Sequence, residues 1–465
     1  MPSNRRTFIR QAALGGMGAA MGSSAWGSAG QAPGRLENAI YMGGFAAPPT
    51  QSIRIALIGV GARGSQHAEQ LAAIPGAEIA AIIDLYQDLA EACAVKCREI
   101  GRGQRHTDIA LYHGGENHWK DMLEQVQPDA VFISTPWEAH AEMAIGAMEQ
   151  GAHAFVEVPL ALTMDEMWKV IDTSERTRRH CMMMENVNYG REELLYLNMC
   201  RQGVIGKILH GEAAYIHELR WQMVEVDRGT GSWRTPHYAT RNGNLYPTHG
   251  LGPVAQYMNL ARGEDNFARL VSMSSPAAGR RAWARQHYPA DHQWNALNFK
   301  GGDINTSIVK TVLGRTILVQ WDETSPRPYT RHNLVQGTRG TLAGFPARAA
   351  FDGGLEGVNE DHHRWVSGDD MDRLYEKYEH PMYSRLGALA EQMGGHGGMD
   401  FMMLYRILEC LREGLPLDQN VYEGALWSAV APLSEASVVA DGMPQTFPDF
   451  TRGEWKKTLP LEVVS

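Results

Sequence analysis

The sequence predicts an α/β chain with an N-terminal Rossmann doubly wound parallel sheet. An α+β domain with a large open, mostly antiparallel sheet is expected to follow. Three observations lead there. A glycine-rich turn near residue 60 stands between an apolar run and a helical stretch. Apolar runs then alternate with helical stretches to about residue 190. From Lys207 onward, β-rich runs succeed one another without helices between them.

The first residues read as an address. Asn4 to Arg10 carries Arg5-Arg6, followed by a weakly apolar, Gly/Ala-rich stretch from Gln11 to Ala25. That stretch is too short and too weakly apolar for a stable membrane span, which needs about 20 strongly apolar residues. Residues 1–31 are therefore expected to be a twin-arginine signal peptide, with small residues around Ser23 to Ala29 offering cleavage points. The twin-arginine route implies a periplasmic or exported protein, and it suits one that acquires a cofactor before export. Residues 32–50 read as a linker.

Residues 51–190 are expected to form an NAD-binding Rossmann domain. Ser52 to Val60 reads as a buried strand running into Gly59-Val60-Gly61-Ala62-Arg63-Gly64, with a helix over Ser65 to Ala73. Glycines at Gly59 and Gly61 allow a tight turn and let a pyrophosphate approach a helix N-terminus. A second strand, Glu78 to Ile83, ends at Asp84, whose carboxylate can accept hydrogen bonds from a ribose and would repel a 2′-phosphate. Further strands are expected over Asp129 to Ser134, Ala154 to Val158 and Cys181 to Met184, with helices over Ala141 to Gln150 and Asp165 to Arg176. Ligands bind at the carboxyl ends of such strands. Trp137, His140, Glu157 and Asn186 all fall there, which argues for one crevice.

Residues 191–465 read as the α+β substrate domain with C-terminal helices. Its strands are expected over Ile208 to His217, Leu270 to Ser274, Asn305 to Leu313, Thr316 to Asp322 and Asn333 to Gln336. Met399 to Glu413 and Val421 to Ala440 show helical spacing and are expected to cover the nucleotide domain or one face of the sheet.

Composition narrows the partners. Lys+Arg 43 against Asp+Glu 53 gives a net charge of −10, which disfavours nucleic acid. Five scattered cysteines do not make a disulfide framework; Cys93 and Cys97, at helical spacing, read as core-facing thiols. Eighteen histidines show no metal-ligand spacing: His113 and His118 lack the i, i+4 separation, and His362 and His363 are adjacent. No metal is expected.

The string AHAFVEVPLALT, Ala152 to Thr163, following the Rossmann pattern, is similar to the Gfo/Idh/MocA oxidoreductases. Dehydrogenases of that family carry Glu-Lys-Pro where this chain has Glu157-Val158-Pro159, and the family's Asp-x-x-x-His pattern is displaced by Asn242 to Pro253. That second string, with Met184 to Tyr189, His332 to Thr338 and Gly394 to Asp400, resembles glycoside hydrolase family 109, the NAD-dependent α-N-acetylgalactosaminidases. The resemblance spans nearly the whole chain. It implies NAD contacts at Ala62, Arg63, Asp84, Trp137, Glu138, Ala139, His140, Glu157, Val158 and Asn186. It implies sugar contacts at Tyr215, Arg234, Tyr246, Pro247, Thr248, His249 and Tyr329.

The resemblance also implies a mechanism. NAD takes hydride from C3 of a terminal α-linked N-acetylgalactosamine, the C2 proton becomes acidic, and the glycosidic oxygen leaves by elimination. Water adds back with retention, and the same NADH returns hydride, so NAD stays tightly bound and is not consumed. His249 and Tyr329 are the residue types such acid–base steps need. Other readings stand beside these: His249 as a structural hydrogen-bonder, Tyr329 as a loop anchor, Arg234 as a salt-bridge residue, Tyr215 as an ordinary strand aromatic. His396 receives no role. The partner expected is a glycan or glycoside, and a homo-oligomer is compatible with the chain. The alternatives for the whole are an exported NAD-dependent sugar oxidoreductase and a non-catalytic NAD-dependent sugar-binding protein.

Overall fold

Short, mostly apolar runs suit strands covered by helices on both faces, and six such strands pair in parallel. They are β1 (Ile53–Ile58), β2 (Ala77–Asp84), β3 (Ala110–His113), β4 (Ala130–Ile133), β5 (His153–Val156) and β6 (Cys181–Met183), in the order β3-β2-β1-β4-β5-β6. This computed structural model describes residues 33–101, 106–354, 356–358, 361 and 363–464. The twin-arginine segment, residues 1–31, and His362 lie outside the described residues. The order reverses between β1 and β4, and the register there builds the site. Ile58 pairs with Ile83 and with Ile133, and Ile133 with Val156, so Gly59, Asp84, Ser134 and Glu157 leave the sheet at one level. Val156 pairs with Met183, which brings Glu185 and Asn186 alongside.

Helix boundaries follow local chemistry. Thr163 and Glu166 form a reciprocal capping box at the start of Met164–Thr177, and Asn420 and Glu423 do the same for Val421–Val439. Both C-terminal helices cover the body, each in a different place. Met399–Glu413 packs on Ala62–Ala73, the helix after the glycine turn, while Val421–Val439 lies against the second sheet and against Met164–Thr177.

The second sheet has nine strands. They are β7 (Ile208–Ile216), β8 (Phe267–Ser274), β9 (Ile304–Thr311), β10 (Thr316–Asp322), β11 (Leu334–Gly337), β12 (Gly340–Ala343), β13 (Arg348–Phe351), β14 (Val366–Ser367) and β15 (Gln445–Thr446). The order is β14-β13-β12-β11-β7-β10-β9-β8-β15. Its pairs are antiparallel except β7 with β10, which run in parallel and end side by side, Tyr215 opposite Trp321.

Two expectations are corrected. The strands of this half do not follow one another without helices: Thr230–Thr240 and Thr248–Tyr257 stand between β7 and β8, and Gly279–His287 between β8 and β9. Pro236 sits inside the first of these helices, and Gly250, Gly252 and Pro253 lie inside the second, all residues that disfavour a helix interior. The reason at Gly250 is packing. A Cβ there would lie 2.3 Å from the backbone nitrogen of Ala214, so the helix approaches β7 more closely than any side chain permits. Second, residues 33–50 are docked rather than free: Met42 donates its amide to the Tyr422 hydroxyl at 3.0 Å, Tyr41 stacks on Tyr422, and Phe45 packs on His180. Cys93 and Cys97 are buried, as their spacing implies.

Candidate active site

The glycine turn is shaped for a dinucleotide. Gly59 has φ +80°, and a Cβ there would sit 2.8 Å from the Ser134 carbonyl; a Cβ on Gly64 would come within 1.9 Å of the Gly59 carbonyl. A Cβ on Gly61 would meet nothing within 4 Å, so this side of the turn is open. The helix Ala62–Ala73 begins at Gly61 with no side-chain cap on its first amides, which is the arrangement a pyrophosphate completes. Asp84 is aimed by two backbone donors, Val60 at 2.8 Å and Tyr86 at 3.0 Å. These residues fit NAD.

At the inner end of the turn, charge is concentrated. Arg63 donates to Glu157 at 2.7 Å and to both oxygens of Asp400 at 2.6 and 2.8 Å. His67 reaches Glu157 at 2.6 Å, His396 reaches Asp400 at 2.7 Å, and Asn186 donates to Asp400 at 2.6 Å. Burial opposes ionisation of Glu157, yet the Arg63 charge and the His67 hydrogen bond outweigh it and hold its carboxyl well below the usual range. For Asp400, too, burial is outweighed, by His396 and Arg63. Both stay carboxylates at any working pH.

The facing wall is aromatic. Tyr215 from the end of β7 packs on Tyr246 at 4.6 Å between ring centres, on His249 at 5.2 Å and on Tyr329 at 6.2 Å. Its hydroxyl shares a hydrogen bond with His217 at 2.9 Å. Arg234 lies over the rings of Trp137, Trp233 and Tyr246 at 5.0, 5.3 and 5.3 Å, and its Nε has no hydrogen-bond partner among the described residues. It is a cation held by ring faces rather than a surface salt-bridge residue. Burial pushes the phenols of Tyr215 and Tyr246 above their ordinary value, so both are neutral hydrogen-bonding groups. His249 lies in the first turn of Thr248–Tyr257; its Nδ1 meets Glu185 Oε1 at 2.7 Å and its Nε2 lies 3.5 Å from the Tyr246 hydroxyl. Tyr329, partly exposed, accepts from Arg331 at 2.9 Å and faces His217 at 4.9 Å between ring centres.

The two sides meet. Trp137, at a strand end of the nucleotide sheet, touches Trp233, His237 and Tyr246 of the second half. His237 lies 2.8 Å from Glu138, and that contact holds the Glu138 carboxyl below its ordinary value. Further out, Arg228 covers the ring of Tyr86 at 4.0 Å and reaches Asp88 at 3.0 Å, near Asp84. Burial lowers the pKa of His217 below the ordinary value; Glu323 opposes the shift, and the His249 and Arg234 charges add to it.

Three expected contacts take a different form. His140 is a core histidine: its ring nitrogens face the Pro159 and Thr135 carbonyls at 2.7 and 2.9 Å, and its amide bonds to Trp137. Val158 is 3% exposed and packs in the core, and Thr248 is 1% exposed with its hydroxyl unpartnered among the described residues. Ala139 sits in the 3-10 turn Trp137–Ala139, and Pro247 caps the His249 helix.

Sequence reasoning missed Glu185, His67, Asp400 and Glu323. His67 was findable, since it lies one helical turn from Arg63 on the same face. Glu185 was findable as the neighbour of Asn186 at a strand end. Asp400 carries no local signal for its place. Neither does Glu323, a buried carboxylate bonded to Tyr238 and Arg280, with its other oxygen unpartnered among the described residues.

Comparison with known proteins agrees with this geometry. Residues 53–185 match the NAD-binding Rossmann fold of an oxidoreductase family, GFO_IDH_MocA, and residues 189–457 match the glycosyl hydrolase 109 C-terminal domain. Glycosyl hydrolase family 109 protein 1 of Akkermansia muciniphila is 60% identical over 93% of this chain and 89% of its own. Protein 2 of that organism is 55% identical over 100% and 99%, and a Shewanella baltica family member is 56% identical over 90% of each. Among solved structures, levoglucosan dehydrogenase in complex with NADH and levoglucosan shares the fold, with a TM-score of 0.64 and 19% identity over 86% of this chain and 100% of that one. An NAD binding oxidoreductase from Klebsiella pneumoniae superimposes with a TM-score of 0.62 and 16% identity over 85% and 99%. With an NAD-binding half joined to that C-terminal domain and relatives alike from end to end, the chain belongs to glycosyl hydrolase family 109.

Proposed function

We propose that the protein hydrolyses terminal α-linked N-acetylgalactosamine with retention, holding one NAD tightly through each turnover. The observation that supports this most is the division of the crevice. The carboxylates nearest the glycine turn are pinned by Arg63, while His249 and Tyr329 stand among neutral rings on the other side. A pinned carboxylate is a poor proton carrier, so acid–base work falls to the imidazole and the phenol.

When bound, NAD supplies reversible hydride exchange at the sugar's C3, which makes the C2 proton acidic. His249 Nε2 accepts that proton as the glycosidic oxygen leaves C1, exchanges it with solvent, and delivers a solvent-derived proton to C2 after water has added at C1. Tyr329, held by Arg331, protonates the departing oxygen and then takes a proton from the incoming water. Tyr215, Tyr246 and Arg234 orient the ring, with the free Nε of Arg234 offered to a hydroxyl or the acetamide. Val158 in the core bears no proton-transfer group, which favours this route over simple alcohol oxidation.

The test follows an aryl α-N-acetylgalactosaminide and NADH absorbance together on purified protein. Release of the phenol without net NADH is expected. Stoichiometric NADH with intact glycoside would make the protein a sugar oxidoreductase, and binding without turnover of any aryl glycoside would make it a binding protein.

Export by the twin-arginine route belongs to the same proposal, motivated by Arg5-Arg6. Replacing both with lysine should leave folded protein in the cytoplasm. A variant that still reaches the periplasm on fractionation would end that assignment.

A further inference from the structure

The group that sets the chemistry of His249 lies on a different half of the molecule. Glu185 follows β6 of the nucleotide sheet, and its side chain is 0% exposed. One of its oxygens, Oε1, accepts from the Val187 amide at 3.2 Å and meets His249 Nδ1 at 2.7 Å. Its backbone carbonyl accepts from Gln419 at 3.0 Å, so the residue is held at both ends. The second carboxyl oxygen, Oε2, has no hydrogen-bond partner among the described residues.

Space for this contact is made by a glycine. A Cβ on Gly252, in the helix that carries His249, would lie 2.9 Å from Glu185 Cγ and 2.9 Å from Asn188 Oδ1. Any other residue at 252 would press on the carboxylate. Among the described residues, the other polar groups in contact with the His249 ring are the Tyr246 hydroxyl, near Nε2, and the Tyr215 ring. Neither is placed on Nδ1. A carboxylate accepts only, so the proton of a neutral His249 belongs on Nδ1 and the lone pair on Nε2, which faces the sugar side.

We propose that Glu185 is the positioning residue for His249, fixing the imidazole in the tautomer whose Nε2 can accept a proton from the bound sugar. The assignment rests on the reading of His249 as the base. The carboxylate also steadies the imidazolium once formed, as a buried acid does for a catalytic histidine. It does so from the nucleotide half, so the base is competent only when the two halves are docked.

The direct observation is the nitrogen-15 signature of His249 in the wild-type protein with NAD bound, assigned by its disappearance in His249→Gln. A protonated Nδ1 with an unprotonated Nε2 is expected, and the opposite tautomer would overturn the proposal. The functional arm is Glu185→Gln, whose amide can donate to Nδ1 and so favour the wrong tautomer. That variant should lose kcat by about 10²–10⁴-fold, the range for a mispositioned or missing acid–base group. KM, bound NAD and melting temperature should stay near wild type, and the nitrogen-15 signature should change. Gly252→Ala moves the same carboxylate without changing its chemistry and should lower kcat in the same direction. Wild-type kcat in Glu185→Gln while His249→Ala is inactive would reject Glu185 and leave His249 in place. Turnover preserved in His249→Ala would instead reject the reading on which the proposal rests.

Discussion

The two walls of the crevice are built on opposite principles. On the nucleotide wall, Arg63 joins Glu157 and Asp400, and His67, His396 and Asn186 complete the hydrogen bonds. On the facing wall, Tyr215, Tyr246, Tyr329 and Trp137 gather the imidazoles of His217, His237 and His249 and the Arg234 guanidinium, and the Arg234 Nε and Thr248 Oγ1 are left without partners among the described residues. The first arrangement spends its charges on one another, and what it gains is a rigid floor beneath the glycine turn. The second keeps neutral, polarisable faces and a few unsatisfied donors, which suits a ring of hydroxyls and a proton that must move. The difference teaches which wall can carry the acid–base steps of the proposed reaction.

The comparison breaks most sharply at His249. His249→Ala is expected to lower glycoside turnover by about 10²–10⁴-fold, with bound NAD and melting temperature unchanged. Parallel loss of NAD, stability and activity would make the residue structural and erase the contrast. On the opposite wall, Arg63→Met should act through stability. It strands two buried carboxylates, and breaking a buried ion pair on one side costs about 3–5 kcal/mol. Thermal denaturation and the NAD content of the purified protein check this; a variant as stable as wild type would show that the cluster is not held by its cation. Tyr329→Phe is a smaller change. Loss of the hydroxyl held by Arg331 should reduce kcat by about 10²-fold, the lower end for an acid–base group, with little change in stability. Unaltered kcat would return Tyr329 to a loop anchor.

The smallest effect lies outside the crevice and serves as its control. His153 and His180 are buried, and burial takes them from the ordinary 6.5 to about 3 and about 4, with nearby cations adding to the shift. An unfolded chain takes up these protons below about pH 6.5. Their contribution to stability is therefore fully present above that pH and is lost as pH falls through about 4. His180→Gln should flatten the acid side of the melting curve and leave neutral-pH turnover alone. Parallel curves for the two proteins would remove this pair from the acid response.

Legibility from sequence follows the same division. The nucleotide wall was largely readable, because strand, glycine turn, helix and acid are local and in order: Gly59, Gly61, Asp84 and Glu157 fall where their spacing puts them. Much of the facing wall needed the resemblance, since Tyr215, Arg234, His249 and Tyr329 come from four distant elements. The helix bearing His249 was hidden by Gly250, Gly252 and Pro253; Gly250 allows close packing on β7, and Gly252 leaves room beside Glu185. Partners lying on far segments were invisible altogether: nothing local connects Asp400 with Arg63, 337 residues earlier. His140 shows the converse. A histidine at a strand end looks like a ligand from sequence, yet its ring tethers Thr135 to Pro159.

The central claim is that a proton leaves C2 of the sugar toward the aromatic wall during hydrolysis. The most direct measurement runs the wild-type protein on an aryl α-N-acetylgalactosaminide in deuterium oxide and examines the released sugar by proton NMR. The account predicts N-acetylgalactosamine carrying deuterium at C2, formed with no net NADH. Phenol release with the C2 proton fully retained, under conditions where the exchangeable sites of the protein are deuterated, would contradict it.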